Sequence, residues 1–302
     1  MKKIAIFSYW KNRWVYYLQD YLGARGYEVK YSPTVDIQLL QWADVAWIAW
    51  ANEMAVQISN LPIKYCKNIV YVRGYEVFGN YFKQINWNMI DEVIFTNDGY
   101  IEISKKQGLQ MPPERIHSVT NAINTTVWKY QEHKKGTKLA FVSNVNHKKG
   151  FPLLLQIFAE LPDQYELHFI GMVQELRFWV YFCHLANEMG LGKRINYGGG
   201  NLTAANQIQD WLKDKDYILS CSPTEGNPNC LLEAMSCGLK PIIHNWIGAK
   251  KQFPPQLVFN KVSEAVKLIT EDAYDSKSYR QFIEDNYDFL KVYQKLEVIL
   301  NE

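Results

Sequence analysis

Apolar and polar positions alternate along the chain in a pattern that predicts parallel sheets covered by helices. Short apolar runs of strand length, such as residues 4–8 and 44–50, are followed by stretches with apolar residues at helical spacing, such as residues 12–25. The succession starts again at residue 138 and continues toward the C-terminus. Alternating strands and helices are typical of α/β folds, because two parallel strands need a crossover connection. The pattern therefore predicts an α/β protein built from two such units.

The remaining elements follow from the same periodicities. Further strands are predicted at residues 27–31, 68–73, 92–96, 138–143, 166–171, 195–200, 217–221, 241–244 and 257–259. Further helices are predicted at residues 100–107, from 150 onward, and at 176–189, 207–213, 263–270 and 279–300. Residues 131–136 are polar and contain no apolar side chain, and we interpret them as an interdomain linker. The domains are accordingly predicted at residues 1–130 and 131–283.

Residues 222–238 carry the strongest chemical signal. Pro223, Gly226 and Pro228 interrupt regular structure, Asn229 is a plausible N-cap of a helix, and Gly238 ends that helix. The first amides of a helix favour anions, so a phosphate could bind there. Two carboxylates flank this point. They are Glu225 in the loop and Glu233 in the helix. From the residues alone, an ordinary strand–loop–helix unit with two solvated glutamates explains the segment equally well.

Composition and charge exclude several classes of protein. The formal net charge of +2 argues against a dedicated nucleic-acid binder. The five cysteines are odd in number and form no C-x-x-C motif, which indicates reduced thiols in a cytoplasmic protein. The first apolar run, residues 4–7, is too short for a signal peptide, and no window reaches the ~20 apolar residues of a spanning helix. Any membrane contact is therefore expected to be peripheral.

Segments on either side of the two glutamates resemble a known enzyme family. Residues 216–223, Asp-Tyr-Ile-Leu-Ser-Cys-Ser-Pro, and residues 233–241, Glu-Ala-Met-Ser-Cys-Gly-Leu-Lys-Pro, are similar to the E-x7-E region of retaining glycosyltransferases of family 4. Residues 112–128 resemble that family's strand and N-G-V-D-x-x-x-F turn, with three of five motif positions altered. The resemblance implies the GT-B fold, in which two Rossmann-like parallel-sheet domains face a cleft. It further implies that a helix at about residues 284–302 packs back on the first, acceptor-side domain.

The resemblance also implies roles in the second domain, which would bind the nucleotide sugar. Lys149 would reach the donor diphosphate, although Asn144 stands where the family has a second cation, an Arg. Glu225 would hold hydroxyls of the donor sugar, and Glu233 would hold the ribose. The other nucleotide-contacting positions implied are Gly226, Asn227, Pro228, Asn229, Cys230, Leu231 and, beside the base, Gly199.

In the first domain the implied site departs from the family pattern. Arg73 and Glu76 follow the fourth strand, where the family often has a His, and a structural salt bridge or cap is an equally good explanation for them. The loop after the first strand places Trp10 where the family has a glycine pair. Lys11 and Arg73 are candidates to replace the missing Arg.

The function implied is that of a retaining glycosyltransferase. It would move a sugar from a UDP- or GDP-sugar to a hydroxyl of a glycan or lipid-linked glycan in cell-surface polysaccharide or glycoconjugate synthesis. We expect no metal or cofactor, because the six histidines show no metal-ligand spacing and Asp214-Lys-Asp216 precedes a strand. The expected location is the cytoplasm or the inner face of the membrane, without nucleic-acid partners. Two alternatives remain open. One is a non-catalytic or partner-dependent GT-B subunit, and the weaker one is a GT-B sugar epimerase.

Overall fold

A computed structural model describes residues 1–11, 13–200, 202 and 204–301 of the chain. The chain divides into two compact units. The first comprises Met1–Ala122 with Leu290–Glu302, and the second comprises Ile123–Phe289.

The first unit contains a six-stranded, fully parallel sheet with the strand order β2-β1-β3-β4-β5-β6. Its strands β1, β4 and β5 are apolar and buried after one or two polar residues at their start, as is typical of strands covered on both faces, and β3 is apolar and buried at every position. The elements are β1 (Lys3–Phe7), α1 (Arg13–Gly23), β2 (Glu28–Ser32), α2 (Ile37–Trp42), β3 (Val45–Ala49), α3 (Glu53–Ser59), β4 (Lys67–Val72), β5 (Glu92–Phe95), α4 (Ile101–Lys106) and β6 (Ile116–Ser118).

The second unit contains another six-stranded parallel sheet, in the order β12-β11-β10-β7-β8-β9. Its elements are β7 (Lys138–Val142), α5 (Phe151–Ala159), β8 (Glu166–Ile170), α6 (Leu176–Glu188), β9 (Ile195–Tyr197), α7 (Ala205–Leu212), β10 (Tyr217–Ser220), α8 (Asn229–Cys237), β11 (Lys240–His244), α9 (Ala249–Gln252), β12 (Val258–Phe259), α10 (Val262–Thr270) and α11 (Ser276–Asn286). The last helix, α12 (Phe289–Asn301), follows it.

The strand order of the second unit places a topological switch point between β7 and β10. From β7 the chain proceeds outward through β8 and β9, and it then returns to the other side of β7 to form β10, β11 and β12. The loops after β7 and β10 consequently diverge at the carboxyl edge of the sheet. Ligands of open α/β sheets bind in the crevice that such a divergence creates.

The C-terminal segment forms two helices, and the prediction of one helix over residues 279–300 is wrong. The backbone between α11 and α12 pairs with Ile123, which donates to the carbonyl of Tyr287 at 2.8 Å and accepts from the amide of Phe289 at 3.0 Å. These bonds replace helical ones, so the helix is interrupted. From Leu290 onward α12 belongs to the first unit, where Lys67 donates to the carbonyl of Ile299 at 2.9 Å.

Residues 131–136, predicted as a linker, lie inside the second unit. The amide of Gln131 donates to the carbonyl of Cys237 at 3.1 Å, and the amide of His133 donates to Ser276 Oγ at 3.0 Å. The segment is polar because its backbone and side chains bond to neighbouring elements. The boundaries between the units therefore follow Ala122 and Phe289 instead of residues 130 and 283.

Within the described part of the chain, each helix is too short or too polar to cross a lipid bilayer.

Candidate functional site

The switch point of the second unit brings Lys149 and Glu225 together. Lys149 follows β7, Glu225 follows β10, and the Lys149 Nζ atom lies 2.6 Å from Glu225 Oε1. Both side chains are partly buried, with 29% and 14% of their surface exposed. Burial alone would lower the pKa of Lys149, but the charge and hydrogen bond of Glu225 outweigh it and raise that pKa above the ordinary value. Lys149 is therefore a cation throughout the physiological pH range.

The residue after Lys149 is a glycine, Gly150, and its presence there has a steric explanation. Lys149 ends a short 3₁₀ turn, His147–Lys149, and Gly150 follows it with a φ of +69°. A Cβ atom on Gly150 would lie 2.0 Å from the carbonyl oxygen of Cys221. Only glycine combines this left-handed backbone with so close an approach to the neighbouring loop. Gly150 thus allows the loop that carries Lys149 to approach the end of β10.

Two cavities meet at Lys149. The first, of about 220 Å³, extends toward the loop after β10, and the second, of about 310 Å³, extends toward the loops after β8 and β9. Val142, Ser143 and Lys149 line both. The first is further lined by Phe141, Leu219, Ser220, Ser222, Glu225, Asn227, Pro228, Asn229 and Cys230, and the second by Asn144, Ile170, Gly171, Met172, Gly200 and Leu202.

The loop after β10 is held in place from outside. Gln252 Nε2 donates to the carbonyl oxygen of Gly226 at 2.6 Å. The hydroxyl of the buried Tyr287 donates to the carbonyl of Gln252, and the Tyr287 side chain is also hydrogen-bonded to Asn227. Gln252 and Tyr287 lie far from the loop in sequence, and no motif marks them. Both are supporting residues that sequence reasoning missed.

The start of α8 differs from the prediction in one detail. Asn229 is the first helical residue and Pro228 is the N-cap, without a side-chain cap bond, so the prediction of Asn229 as the cap is wrong. Pro228 has a backbone suited to this position, and its carbonyl accepts from the amide of Leu231 at 3.2 Å. The Leu231 side chain is completely buried in the core. Gly238, with a φ of +102°, ends α8 as predicted.

Glu233 lies in the second turn of α8 and is 6% exposed. It does not contribute to the lining of either cavity. The pKa of the Cys230 thiol is raised to about 12. Burial is the largest cause, and the negative charges of Glu225 and Glu233 add to it. Cys230 therefore lines the first cavity as a neutral thiol.

Asn144 and Gly199 belong to the loops that border the second cavity. Asn144 Oδ1 accepts from the amide of Met172 at 3.0 Å and so ties the β7 loop to the β8 loop. Gly199 has a φ of +82°, and its carbonyl accepts from the amide of Gly171 at 2.9 Å. Gly199 supports the turn after β9, while its neighbour Gly200 contributes to the cavity lining.

The first unit contains Arg73 and Glu76, the two residues after β4 that were predicted as site residues. Glu76 is completely buried, and its carboxylate accepts from the amides of Arg73 at 2.6 Å and Gly74 at 2.9 Å. Burial raises the pKa of Glu76, and these hydrogen bonds oppose the rise. The geometry favours the cap explanation over a catalytic one, because a fully enclosed carboxylate cannot contact a ligand. Arg73 Nη2 donates to Asn121 Oδ1 at 2.8 Å.

The acidic pair Asp214 and Asp216 is held by neighbouring residues. Asp214 lies 3.0 Å from Lys138 and also bonds Lys215, and these contacts overcome burial and bring its pKa to about 2. Asp216 accepts from the amide of Lys138 at 2.8 Å. Across the described residues, no group of three or more His, Cys, Asp or Glu is placed to hold a metal ion.

Comparison with known proteins identifies a family and relatives of this chain. The family model described as glycosyl transferases group 1 matches residues 122–288. The capsular polysaccharide biosynthesis glycosyltransferase CapH of Staphylococcus aureus is 27% identical over 130 residues, which are 42% of this chain and 35% of CapH. The chain spans less than half the length of the curated relatives it matches.

Comparison of structures extends the similarity to the whole chain. HepE of Anabaena, whose structures include complexes with UDP and with UDP-glucose, matches with a TM-score of 0.79 at 13–14% identity over 100% of both chains. The lipopolysaccharide outer core galactosyltransferase WaaB matches with a TM-score of 0.74 at 16% identity over 100% of this chain and 99% of WaaB. The two parallel sheets and these neighbours confirm the predicted GT-B fold.

Proposed function

The chain belongs to the glycosyl transferases group 1 family, and from this premise we propose that it transfers a sugar from a nucleoside diphosphate sugar to a hydroxyl acceptor. The observation that carries the proposal is the pairing of Lys149 with Glu225 at 2.6 Å, where the loops after β7 and β10 diverge. A charged lysine beside a cavity at a switch point suits a diphosphate. The carboxylate suits the hydroxyl groups of the attached sugar.

We propose a UDP-sugar as the donor, because HepE, which shares the fold, is described in complex with UDP and UDP-glucose. The uridine diphosphate would occupy the two cavities that Lys149 borders, with the segment Asn227–Cys230 and the start of α8 on one side. Glu233 would bind the ribose, as proposed for the family 4 signature. Glu233 is only 6% exposed and lines neither cavity, so this contact requires the ribose to extend beyond the two cavities.

The proposed chemistry places the leaving diphosphate against Lys149. As the bond from the anomeric carbon to the phosphate oxygen breaks, negative charge grows on the diphosphate and positive charge grows on the sugar ring. Lys149 stabilises the former more strongly in the transition state than in the ground state. Glu225 holds the sugar hydroxyls, and the leaving phosphate oxygen takes the proton of the attacking acceptor hydroxyl. Attack from the same face retains the anomeric configuration.

The ion pair has a consequence for this scheme. Glu225 already neutralises part of the Lys149 charge, so diphosphate binding requires Lys149 to exchange or share its partner. Asn144 adds no cation where the family has an Arg, and its side-chain oxygen is engaged by the Met172 amide. Lys149 therefore carries the phosphate interaction without help from that position.

We further propose that the acceptor is a glycan or lipid-linked glycan of polysaccharide synthesis, as the name of CapH suggests for that relative. The first unit would bind it. We propose that the transfer requires no metal ion. We also propose that the protein acts in the cytoplasm, either free or in peripheral contact with the membrane.

A second candidate function is a non-catalytic or partner-dependent GT-B subunit. Two observations favour it. Asn144 stands in place of a cation, and Glu76 is completely enclosed in the loop after β4 instead of contacting a ligand.

Hydrolysis of UDP-glucose and related UDP-sugars by the purified protein, with and without EDTA, separates the two functions. A metal-independent transferase releases UDP slowly and equally in both conditions. UDP binding without any hydrolysis or transfer, even with a panel of glycan acceptors, would favour the subunit. Loss of activity with EDTA and recovery with Mg²⁺ or Mn²⁺ would contradict the metal-independent mechanism.

A further inference from the structure

The first unit presents a group of aromatic side chains at the carboxyl edge of its sheet. Trp10 follows β1, and Trp50 follows β3. The Trp10 ring meets Trp50 edge to face, with 5.7 Å between the ring centroids, and meets Tyr9 in the same way at 6.0 Å. Trp50 is 8% exposed, whereas Trp10 is 55% exposed. An open indole ring is thus supported by a buried one. We call Trp10, Trp14, Trp50 and Arg73 the tryptophan platform.

The platform is fixed from beneath. The Arg73 guanidinium lies 5.0 Å from the centroid of the Trp14 ring and 5.6 Å from that of Trp50, within the range of cation–π attraction. The Trp14 and Trp50 rings also meet edge to face at 6.2 Å. These contacts, with the bond from Arg73 to Asn121, hold the supporting rings in one arrangement.

The backbone at Trp50 is strained. Its φ is +82°, a left-handed value that bulky residues rarely adopt, and its amide donates to the carbonyl of Tyr71 at 2.8 Å. Strain of this kind persists where the surroundings enforce it, and it is concentrated at ligand-binding positions. The strained backbone of Trp50, next to an exposed tryptophan, therefore favours a ligand-binding role for this part of the first unit.

Hydrogen-bonding groups stand beside the platform. Tyr75, which is 46% exposed, accepts from Asn52 Nδ2 through its hydroxyl at 3.2 Å. The exposed carboxylate of Glu53 accepts from the hydroxyl of Tyr81 at 2.5 Å. Asn52 and Glu53 lie two and three residues after Trp50 in the segment that follows β3. Asn52 is buried and orients the Tyr75 hydroxyl, so the groups open to a ligand are that hydroxyl and the Glu53 carboxylate. An apolar aromatic surface beside a carboxylate and a hydroxyl is the combination that a sugar ring requires.

We infer that the tryptophan platform binds a pyranose ring of the acceptor, with Trp10 as the stacking surface. A pyranose presents C–H groups on its face and hydroxyls around its rim. The negative face of an indole attracts those C–H groups, and the polar neighbours suit the hydroxyls. The inference rests on the proposed function, because a transferase needs an acceptor as well as a donor. The diphosphate is assigned to Lys149 in the second unit, whereas Trp10 belongs to the first.

The test uses the full chain labelled with 5-fluorotryptophan and observed by ¹⁹F NMR. The Trp10 resonance is identified by its loss in Trp10→Phe. The protein is titrated with methyl pyranosides of glucose, galactose and N-acetylglucosamine and with lactose, and sorbitol serves as an acyclic polyol. The expected result is a saturable shift of the Trp10 resonance with at least one pyranoside and none with sorbitol.

Variants then distinguish stacking from general apolar contact. Binding of the active pyranoside to unlabelled protein is measured by calorimetry. Trp10→Phe keeps an aromatic face and should retain most of the affinity, while Trp10→Leu should bind about tenfold more weakly, the size of one aromatic contact. The matched control is Tyr181→Ala, which removes an aromatic residue of similar exposure, 47%, from α6 in the second unit and should change nothing.

The outcomes separate this inference from the proposed function. No saturable Trp10 shift with any pyranoside, or wild-type affinity in Trp10→Leu, would overturn the inference even if UDP binds normally. A Trp10 shift with UDP-glucose but not with UDP or a pyranoside would assign the platform to the donor sugar and overturn the acceptor assignment. Failure of UDP to bind, with pyranoside binding intact, would contradict the proposed donor function alone.

Discussion

Glu225 Oε1 lies 2.6 Å from Lys149 Nζ, so the two groups proposed to hold different parts of the donor are bonded to each other. The pair joins the loop after β7 to the loop after β10 at the switch point of the second sheet. Substitution of Lys149 should therefore affect binding of the diphosphate, whereas substitution of Glu225 should affect binding of the attached sugar.

Glu225→Gln should lower the preference for UDP-glucose over UDP. The substitution removes the charge that partly neutralises Lys149, so the affinity for UDP should stay equal or rise. It also weakens the hydrogen bond to a sugar hydroxyl, so the ratio of the two affinities should fall about tenfold. Calorimetric titration with each ligand measures the ratio.

The control for this variant is Glu175→Gln. Glu175 also forms a short hydrogen bond, 2.7 Å from His147 Nδ1, but it lies outside the lining of the two cavities. It should leave the ratio unchanged. Equal losses for UDP and UDP-glucose in Glu225→Gln would mean that Glu225 only positions the loop.

Gly150→Ala should destabilise the second unit far more than Gly190→Ala. Both glycines have nearly the same φ, +69° and +71°, so the left-handed backbone costs each alanine a similar ~1–2 kcal/mol. At Gly150 the new Cβ would also lie 2.0 Å from the Cys221 carbonyl, whereas nothing lies within 4 Å at Gly190. Thermal unfolding followed by circular dichroism should show a clearly larger loss of Tm for Gly150→Ala. Equal losses would mean that the two loops are not in contact.

Tyr287→Phe should weaken UDP binding through the loop after β10. The hydroxyl bonds both the carbonyl of Gln252 and the side chain of Asn227, and Gln252 in turn bonds Gly226. Without that hydroxyl the loop loses about 1–2 kcal/mol of fixation, which corresponds to a several-fold higher Kd for UDP.

A second tyrosine provides the control for Tyr287→Phe. The Tyr274 hydroxyl also donates to a main-chain carbonyl, that of Asp216 at 2.5 Å, but Asp216 immediately precedes β10 and lies at the opposite edge of the sheet. Tyr274→Phe should lower stability without changing the Kd for UDP. A similar Kd increase in both variants would show that the effect is general destabilisation.

Stability should fall in mild acid in part because of His133. The residue is buried, and its pKa is lowered from 6.5 by burial, against opposing contributions from the Asp216 charge and the Lys215 carbonyl. The folded state thus binds the proton less readily than the unfolded state. The corresponding stability is present above pH 6.5 and is lost as the pH falls from there through the folded pKa. His133→Gln should flatten the pH dependence of Tm in this window.

The exposed His184 supplies the control, because a flattening of the same size in His184→Gln would show that the effect is not specific to the buried His133. His168, whose pKa burial also lowers, is retained in both variants and contributes equally to each. An unchanged slope in His133→Gln would contradict the assignment of a buried neutral imidazole.

The sequence predicted the two parallel sheets because their strands are buried on both faces and appear as uninterrupted apolar runs. It also placed Lys149 and Glu225 after the carboxyl ends of strands, the edge at which open parallel sheets bind their ligands. Helices α2 and α3 were not predicted. They have six and seven residues, too few to display a helical period, and the side chains of Asp36 and Asn52 cap them.

Other features depend on contacts between distant parts of the chain. The backbone bonds of Ile123 interrupt the C-terminal helix at Tyr287, and the loop support by Gln252 joins residues 26 positions apart. Neither leaves a periodic or motif-like trace in the sequence. The enclosure of Glu76 has a local cause instead, because its carboxylate accepts from the amides of Arg73 and Gly74 in its own loop, and the residue type alone does not predict that conformation.

The central claim is that Lys149 holds the diphosphate of the donor, and the kinetics of two adjacent lysine variants test it most directly. Lys149 borders both cavities, whereas the neighbouring Lys148 is exposed and lines neither. Each alanine substitution removes one positive charge from the same turn, so general electrostatics are matched.

The measurement is kcat/KM for sugar release or transfer from the active UDP-sugar. Lys149→Ala should lower it by about 10²–10³, corresponding to ~3–4 kcal/mol of transition-state stabilisation, while Lys148→Ala should change it by about twofold or less. Equal effects of the two substitutions, or no effect of Lys149→Ala, would contradict the account.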